Sequence, residues 1–192
     1  MKIYGVYYNC HMQKEQNLSD EALVEEVRTK DKEKYTEIVE RYQSNLLRYA
    51  RYLLNDEQKA QDIVQESFIK AYINLNGFNT RKKFSSWIYR IVHNEAMNEM
   101  KKHKKEVPML DNMDYQSIQN IEESYSKQEV IKEAEHCLRN LPVIYREPLA
   151  LYYLDEKSYD DISDILRIPM GTVATRIKRA KVMMKKLCQT NK

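Results

Sequence analysis

Glycine and proline, which punctuate chains built from many short strands, are scarce in this sequence. Its 192 residues contain three glycines and four prolines. Tight turns between strands depend on these residues, so their scarcity favours helices as the regular structure. A hydrophobic fraction of 42% is sufficient for packed cores and excludes a disordered polyelectrolyte, although 32% of the residues are charged. The composition therefore predicts an all-α protein.

Cysteine is scarce as well, and its distribution supports neither a disulfide framework nor a zinc site. Cys10, Cys137 and Cys188 are odd in number, far apart in the chain and without CxxC spacing. His11 and His136 each adjoin a cysteine, but adjacent side chains on a helix point about 100° apart. We predict reduced thiols in a cytoplasmic protein, with no metal site and no cofactor.

Long apolar runs are absent too. No stretch approaches the roughly 20 consecutive apolar residues that a membrane-spanning helix needs. The N-terminus also lacks the basic segment, apolar core and cleavage site of a secretory signal. Two interpretations of residues 1–17 stay open: they form an N-terminal tail, or translation begins at Met12. We expect no direct insertion into a membrane.

Charge is abundant but nearly balanced, with a formal net charge of +3. Its distribution is more informative than its sum. Lysines cluster in residues 101–105, a second basic run spans residues 176–186, and residues 106–123 between them carry acidic side chains. This pattern predicts two basic surfaces separated by an acidic strip.

Apolar residues recur at helical spacing in two blocks of the chain. Between the blocks, residues 106–126 lose that periodicity, carry acidic side chains and contain Pro108 as a breaker. We therefore predict two small helical domains, at residues 18–105 and 127–192, joined by a flexible acidic linker and preceded by the tail at residues 1–17.

Local signals predict where several helices begin, end or bend. Ser19 is placed to cap the first helix, and Ser158 with Asp161 has the spacing of a capping box. Gly77 suits the left-handed conformation that often ends a helix. Pro148 removes a backbone donor inside a helical pattern and should kink that helix.

Residues 159–178 have the pattern of a helix-turn-helix, in which a short helix, a tight turn and a second helix share apolar positions. In the turn, Arg167 is expected to adopt a left-handed conformation that costs energy. The second helix would lie in the major groove, with donors suited to base edges and phosphates. The side chains that project from it are Thr172, Thr175, Arg176, Lys178 and Arg179. A solvated basic helix face is the plainer alternative, which the preceding helix and turn disfavour.

Four segments of the second block form a recognisable set: Leu141-Pro142, Tyr145-Arg146-Glu147, Tyr159-Asp160-Asp161-Ile162 and Ile168-Pro169-x-Gly171-Thr172-Val173-x-x-Arg176-Ile177-x-Arg179-Ala180. This set resembles region 4 of the extracytoplasmic-function (ECF) sigma factors of bacterial RNA polymerase. In the first block, residues 60–68 and 84–94 resemble region 2 of the same family. Two long motifs in this order are stronger support than either motif alone.

The resemblance implies a sigma factor that binds core RNA polymerase, directs promoter-specific transcription initiation and is not an enzyme. Region 4 would bind the β flap of the polymerase and read the minus-thirty-five element of promoter DNA with the five side chains named above. Region 2 would recognise and melt the minus-ten element. Asp62, Gln65 and Glu66 would contact the β′ clamp helices, because acids and an amide suit a partner rich in arginine.

The resemblance also assigns the loop at residues 78–83 and the following helix to the melted minus-ten strand. In this assignment Phe78 supplies a stacking surface, Asn94 supplies hydrogen bonds and the cations approach phosphates. The predicted minus-ten residues are Phe78, Arg81, Lys82, Lys83, Arg90, Asn94 and Lys101. Trp87 lies on an apolar stripe, and we expect it to pack in the core rather than against a base.

Members of this family are commonly held inactive by an anti-sigma factor, often at the membrane, which would place this chain in the cytoplasm or at the membrane through that partner. The alternative is a dimeric helix-turn-helix transcriptional regulator that binds operators independently of the polymerase core. A helical enzyme is disfavoured because the sequence lacks a nucleophile and base pair, a metal-ligand cluster and a phosphate loop.

Overall fold

A computed structural model of the chain describes residues 18–106 and 127–190. The predicted N-terminal tail and nearly all of the predicted linker lie outside these ranges. Within them every regular element is helical, so the prediction of an all-α fold is confirmed. None of these helices combines the length and the hydropathy that a membrane crossing requires.

The described ranges contain eight α-helices in two groups of four. The first group, which we call the N-terminal unit, comprises α1 (Asp20–Thr29), α2 (Tyr35–Leu54), α3 (Glu57–Ile73) and α4 (Phe84–Glu106). The second group, the C-terminal unit, comprises α5 (Lys127–Arg139), α6 (Val143–Tyr153), α7 (Tyr159–Leu166) and α8 (Met170–Thr190). Short 3₁₀ turns at Lys32–Lys34 and Leu75–Gly77 complete the N-terminal unit.

Helix ends follow the predicted local chemistry in two of three cases. The Ser19 hydroxyl accepts a hydrogen bond from the Ala22 N–H at 3.2 Å, which caps α1. Ser158 and Asp161 form the reciprocal capping box that begins α7. Gly77, in contrast, adopts no left-handed conformation, so that prediction is wrong. Gly77 lies in a 3₁₀ turn that follows α3. A 3₁₀ turn is narrower than an α-helical turn but is also right-handed, so it needs no residue with a positive φ.

The N-terminal unit buries one face of each helix against α2 and α4. Leu23 from α1, Leu46 from α2 and Ile88 from α4 are each 0% exposed. At one end of this core, the rings of Phe84 and Trp87 pack 5.5 Å apart between centroids. Burial of this apolar and aromatic surface is the main force that holds the four helices together.

The C-terminal unit packs α6, α7 and α8 around a small aliphatic core. Leu151, Ile162, Ile165 and Val173 are each 0% exposed and represent all three helices. The helix α6 continues through Pro148 to Tyr153. The proline therefore removes one backbone donor without ending the helix.

The two units also pack against each other, with α2 lying on α6 and α4 lying on α7. One continuous apolar cluster includes buried side chains from both units. The acidic and basic residues at the edges of this contact form hydrogen bonds and ion pairs between the units, and these place several of the predicted site residues.

The cysteines are arranged differently from the prediction of reduced thiols. Cys137 of α5 and Cys188 of α8 form a disulfide, with their Cα atoms 5.8 Å apart. The two residues are 51 positions apart in the sequence. Chain distance concealed their proximity, because the packing of α5 against α8 brings them together.

Candidate interaction surfaces

The helix-turn-helix predicted for the C-terminal unit is formed by α7, a tight turn and α8. Arg167 lies in the turn with φ of 56° and ψ of 41°, the left-handed conformation expected of it. The Ser163 hydroxyl spans the turn by donating to the Ile168 carbonyl at 2.7 Å. Beyond the turn, the Thr172 N–H donates to the Pro169 carbonyl at 2.8 Å and starts α8. The first bond connects α7 to the turn, and the second forms the first turn of α8.

One side of α8 is buried and the opposite side carries all five side chains predicted to read DNA, which we call the recognition face. Val173 and Ile177 are at most 1% exposed and fix the rotation of the helix. The recognition face consists of Thr172, Thr175, Arg176, Lys178 and Arg179, all of them exposed or partly exposed. Four of these residues border a shallow depression of about 540 Å³.

The three cations of the recognition face have no ion-pair partner within the part of the chain that the structure describes. Thr175 donates its hydroxyl to the Gly171 carbonyl at 2.8 Å, which leaves the oxygen lone pairs free to accept. An open basic face beside a concave depression suits the phosphates and base edges of duplex DNA.

The N-terminal unit distributes the predicted minus-ten residues over three environments. Some are exposed and free to meet a ligand: Arg81, Lys82, Asn94 and Lys101. Two cations are already engaged by acids of α7. The Lys83 ammonium lies 2.8 Å from an Asp161 oxygen, and the Arg90 guanidinium lies 3.0 Å from an Asp164 oxygen.

Phe78 occupies the third environment, and its prediction as a stacking surface for a base does not fit the structure. Its side chain belongs to the core and is 5% exposed. The ring packs on Phe84 and Trp87 at centroid distances of 5.5 and 5.1 Å. The Arg28 guanidinium lies over the same ring, 5.9 Å from its centroid. The 3₁₀ turn before Phe78 directs the ring inward. Phe78 therefore packs in the core, the role that was expected of Trp87.

Asp62, Gln65 and Glu66 are all exposed on one side of α3, and we call them the acidic face. The Glu66 carboxylate pairs with Lys70 at 2.8 Å, and this bond lowers the pKa of Glu66. Lys70 in turn pairs with Glu95 of α4 at 2.6 Å. Glu66 is therefore ionised at neutral pH and is linked through Lys70 to the neighbouring helix α4.

An apolar groove beside the acidic face was not predicted. It has a volume of about 610 Å³ and lies between α2 and α3. Ile69 and Tyr72 border it and are 54% and 41% exposed, and the nearby Ile73 is 69% exposed. Large apolar side chains that stay exposed together mark a surface for protein binding. The signal in the sequence was Ile69, which falls on the same helix face as the acids.

The contact between the units contains a buried carboxylate that sequence reasoning also missed. Glu147 of α6 is 5% exposed. It accepts a hydrogen bond from the Tyr49 hydroxyl at 2.7 Å and pairs with Nδ1 of His93. Burial, together with this carboxylate, raises the pKa of Tyr49 well above its ordinary value. The phenol therefore stays protonated and acts as a donor.

A second buried acid strengthens the same contact. The Arg48 guanidinium donates to Asp155 at 2.6 Å and to the Leu154 carbonyl at 2.7 Å. The Asp155 side chain is 1% exposed. Burial raises the pKa of Asp155, although Arg48 acts in the opposite direction. Asp155 depends on Arg48, because removal of the guanidinium would leave the buried carboxyl without its charged partner.

A helix-turn-helix with an open basic face, combined with a second helical unit that carries cations and an apolar groove, is typical of a two-part DNA-binding transcription factor. Comparisons with known proteins specify the class further. Sigma-70 region 2 matches residues 38–106, and Sigma-70, region 4, matches residues 131–184. The first range begins inside the domain predicted at residues 18–105 and ends one residue beyond it, and the second range lies inside the domain predicted at residues 127–192. The domain boundaries remain predictions.

Curated relatives match along most of their length. The chain is 31% identical over 174 residues to the ECF RNA polymerase sigma factor SigW of Bacillus subtilis (strain 168), covering 85% of this chain and 93% of that protein. It is 32% identical over 186 residues to the ECF RNA polymerase sigma-E factor of Haemophilus influenzae, covering 91% and 97%. The chain belongs to the ECF family of RNA polymerase sigma factors.

Two solved structures share the fold. The sigma factor RpoE from Bartonella quintana, in complex with the anti-sigma factor NepR, superposes with a TM-score of 0.66 at 23% identity, covering 82% of this chain and 98% of that chain. CnrH in complex with the cytosolic domain of CnrY superposes with a TM-score of 0.67 at 19% identity, covering 90% and 99%. Both support the two-unit helical architecture.

Proposed function

We propose that this chain is a sigma factor that binds core RNA polymerase and directs promoter-specific transcription initiation, without performing chemistry of its own. The observation that carries this proposal is the pairing of two surfaces on one chain of the ECF family. The recognition face of α8 suits duplex DNA, and the acidic face of α3 with its apolar groove suits a protein partner. A helix-turn-helix regulator needs no such groove for operator binding.

The polymerase contact is proposed for the acidic face and the groove together. Asp62, Gln65 and Glu66 would meet basic residues of the β′ clamp helices, where charged hydrogen bonds give orientation. Ile69 and Tyr72 would add apolar area at the centre of the contact, where most binding energy is concentrated. The C-terminal unit would contact the β flap.

Promoter recognition is proposed to be divided between the two units. The recognition face would read the minus-thirty-five element as intact duplex. The N-terminal unit would hold the melted minus-ten strand through a set that omits the buried Phe78. That set is Arg81, Lys82, Lys83, Arg90, Asn94 and Lys101.

Tethering explains why each unit can be a weak binder alone. Once both are held on one polymerase, the second contact becomes intramolecular, and the effective concentration of the second unit rises. Strand capture would then offset the few kcal/mol that unpairing and unstacking a base costs. Because cations meet phosphates at both elements, promoter binding should weaken steeply as salt increases.

Regulation by an anti-sigma factor is proposed on the same basis, because both structural neighbours were solved with such partners. That partner would cover the surfaces that bind polymerase and promoter. The proposed location of the chain is the cytoplasm, where the polymerase operates, or the membrane surface when the anti-sigma factor is itself anchored there.

The deciding experiment is transcription in vitro from a genomic promoter pool with core polymerase, with and without this chain, followed by start-site mapping. We expect new start sites that depend on the chain and that share two upstream elements. A matched reaction omits polymerase and measures promoter binding by the chain alone. Tight binding in that reaction, without chain-dependent initiation, would refute the proposal in favour of the dimeric regulator.

A further inference from the structure

The loop at residues 78–83, which we call the minus-ten loop, is held at both ends by helix α1. Two side chains of α1, Glu21 and Arg28, are seven positions apart in the chain and therefore lie on the same face of the helix. Arg28 bonds to the backbone where the loop begins, and Glu21 bonds to the backbone where the loop ends. A single helix face thus contacts both ends of the loop.

The beginning of the loop is fixed by the Arg28 guanidinium. Its Nε donates to the Leu75 carbonyl at 2.9 Å, and its Nη2 donates to the Leu75 and Phe78 carbonyls. The Glu25 carboxylate pairs with Nη1 at 2.7 Å and orients the guanidinium. The Arg28 side chain is 12% exposed, so its bonds to the backbone are largely shielded from water. Shielding strengthens hydrogen bonds from a charged donor.

The end of the loop is fixed by a carboxylate that caps α4. The N–H of Phe84, the first residue of α4, donates to Oε1 of Glu21 at 2.9 Å. The first N–H groups of a helix have no partner inside it, and a carboxylate there also complements the helix dipole. The Phe84 ring is 0% exposed and packs on the Phe78 ring. Both ends of the loop are therefore bonded to α1 and anchored in the core.

Between these ends the minus-ten loop is exposed and contains a turn. The Asn79 side chain accepts from the Arg81 N–H at 3.0 Å, and the Asn79 carbonyl accepts from the Lys82 N–H at 2.9 Å. Arg81 and Lys82 are exposed. A loop with fixed ends presents such cations in a narrow range of directions, which lowers the entropy lost when a strand binds.

We propose that Glu21 and Arg28 are positioning residues for promoter melting, which hold the minus-ten loop in the shape that captures the single strand. Neither side chain contacts DNA in this role. The helix α1 precedes the segment at residues 38–106 that Sigma-70 region 2 matches, and it sets the affinity of a loop inside that segment. This inference rests on the proposed function, because it uses the proposed minus-ten residues.

The test measures how tightly the holoenzyme binds single-stranded DNA with the non-template sequence of the mapped minus-ten element. Arg28→Met removes the donors and keeps an unbranched side chain. We expect roughly fivefold weaker binding or more, because the released loop must then be ordered when the strand binds. Arg28→Lys should fall between this variant and wild type, since an ammonium lacks the planar fork that reaches both carbonyls.

Lys30→Met is the matched control for the change at Arg28. Lys30 is a cation two residues further along the chain, its side chain is 73% exposed, and it pairs with Glu26 rather than with the loop. This control should bind the strand as wild type does. A loss as large as that of Arg28→Met would show that any cation near the end of α1 has the same effect, and would overturn the proposal.

The opposite end of the loop gives an independent variant. Glu21→Ala removes the cap of α4 and should weaken strand binding by a similar factor. Glu21→Ala with Arg28→Met should lose less than the product of the two single losses, because a loop released at one end has already lost its shape. Losses that multiply would show that the two residues act on separate features, and they would contradict a shared positioning role.

A positioning role differs from a general structural role in what else changes. Binding of core polymerase and of minus-thirty-five duplex should stay within about twofold of wild type in each variant, since distant sites act independently. Trp87, the one tryptophan of the chain, packs on the Phe78 ring at 5.1 Å and reports on the loop. Its fluorescence should be quenched more readily by acrylamide in Arg28→Met and not in Lys30→Met. Parallel losses in all three binding measurements would overturn the proposal.

The wild-type chain separates failure of this inference from failure of the proposed function. If the wild-type chain does not initiate with core polymerase, the proposed function is refuted, and this inference is refuted with it. If the wild-type chain initiates, while Arg28→Met and Arg28→Lys bind the strand as tightly as wild type, only the inference is refuted.

Discussion

The two surfaces proposed for DNA differ in their availability. On α8, the three cations of the recognition face lack an ion-pair partner among the described residues, and the helix is fixed by its buried side. On α4 and the preceding loop, Lys83 and Arg90 are already paired with acids from the other unit. One surface has open cations, and the other must first exchange its ion pairs with the C-terminal unit for contacts to DNA.

This difference determines which cations of the structure are open to phosphates. A chain with both surfaces open would bind any nucleic acid through its cations, because phosphate contacts are independent of sequence. On one surface, Asp161 and Asp164 pair with Lys83 and Arg90, which makes these two cations less available for such contacts. The comparison between the surfaces can be tested by changing each unit separately, as follows.

The largest effect is expected from the disulfide, which lies entirely within the C-terminal unit. Reduction of the bond between Cys137 and Cys188 should lower the free energy of unfolding by about 4 kcal/mol, because the bond closes a loop of roughly 50 residues in the unfolded chain. The measurement is urea unfolding with and without dithiothreitol. Cys137→Ser with Cys188→Ser should show the reduced stability under both conditions. Equal stability in both conditions for the wild type would contradict the bond.

The recognition face gives the next largest effect. Arg176→Ala with Arg179→Ala should weaken binding of promoter duplex by the holoenzyme about thirtyfold or more, since each good base contact contributes roughly 1–3 kcal/mol and two are removed. Fluorescence anisotropy with a labelled promoter fragment provides the measurement. The matched control is Lys185→Ala, an exposed cation on the same helix that borders a different groove. A similar loss in the control would indicate only a general effect of charge.

The contact between the units gives an intermediate effect. Glu147→Ala leaves the Tyr49 hydroxyl and His93 without their shared acceptor in a buried place. We expect a loss of about 1–3 kcal/mol in the free energy of unfolding, the cost of an unsatisfied buried polar group. Thermal unfolding followed by circular dichroism measures it. Glu40→Ala, at an exposed site on α2, should cost little, and a loss as large as that of the buried variant would remove the special role of Glu147.

The smallest effect is expected at Phe78, which separates a core role from a DNA role. Phe78→Leu keeps an apolar side chain in the aromatic cluster and should cost less than about 1.5 kcal/mol of stability. Minus-ten strand binding by the holoenzyme should be unchanged, because the buried ring offers no stacking face. A stacking role would instead cost roughly 1–3 kcal/mol of binding, measurable with the same anisotropy method.

Several local features were predictable because their chemistry involves neighbours in the chain. Ser19, the pair of Ser158 and Asp161, and the left-handed Arg167 all adopt the predicted conformations. Each depends on bonds across one turn of backbone. Gly77 shows the limit of such signals. The chain forms a 3₁₀ turn there, and this turn does not require the left-handed conformation that favours glycine.

The site was only partly predictable for the same reason. The recognition face followed from helical periodicity, because buried Val173 and Ile177 determine which side chains point outward. The apolar groove between α2 and α3 was not predictable from periodicity. It is formed by side chains of two helices, and a local sequence pattern does not specify how closely two helices pack. The prediction that Phe78 is an exposed stacking surface does not fit the structure. An aromatic residue in a loop can point into the core or toward solvent, and its packing neighbours determine which.

The amino-acid order alone determined the helical class, the two motifs and the face of α8 that points outward, since spacing of three or four residues is sufficient to define a helix face. Only the tertiary structure decided the partners of Lys83, Arg90 and Glu147, which lie 78, 74 and 98 positions from Asp161, Asp164 and Tyr49. Contacts over such separations form when apolar faces of distant helices are buried together, and polar side chains then pair with whichever groups that burial places beside them.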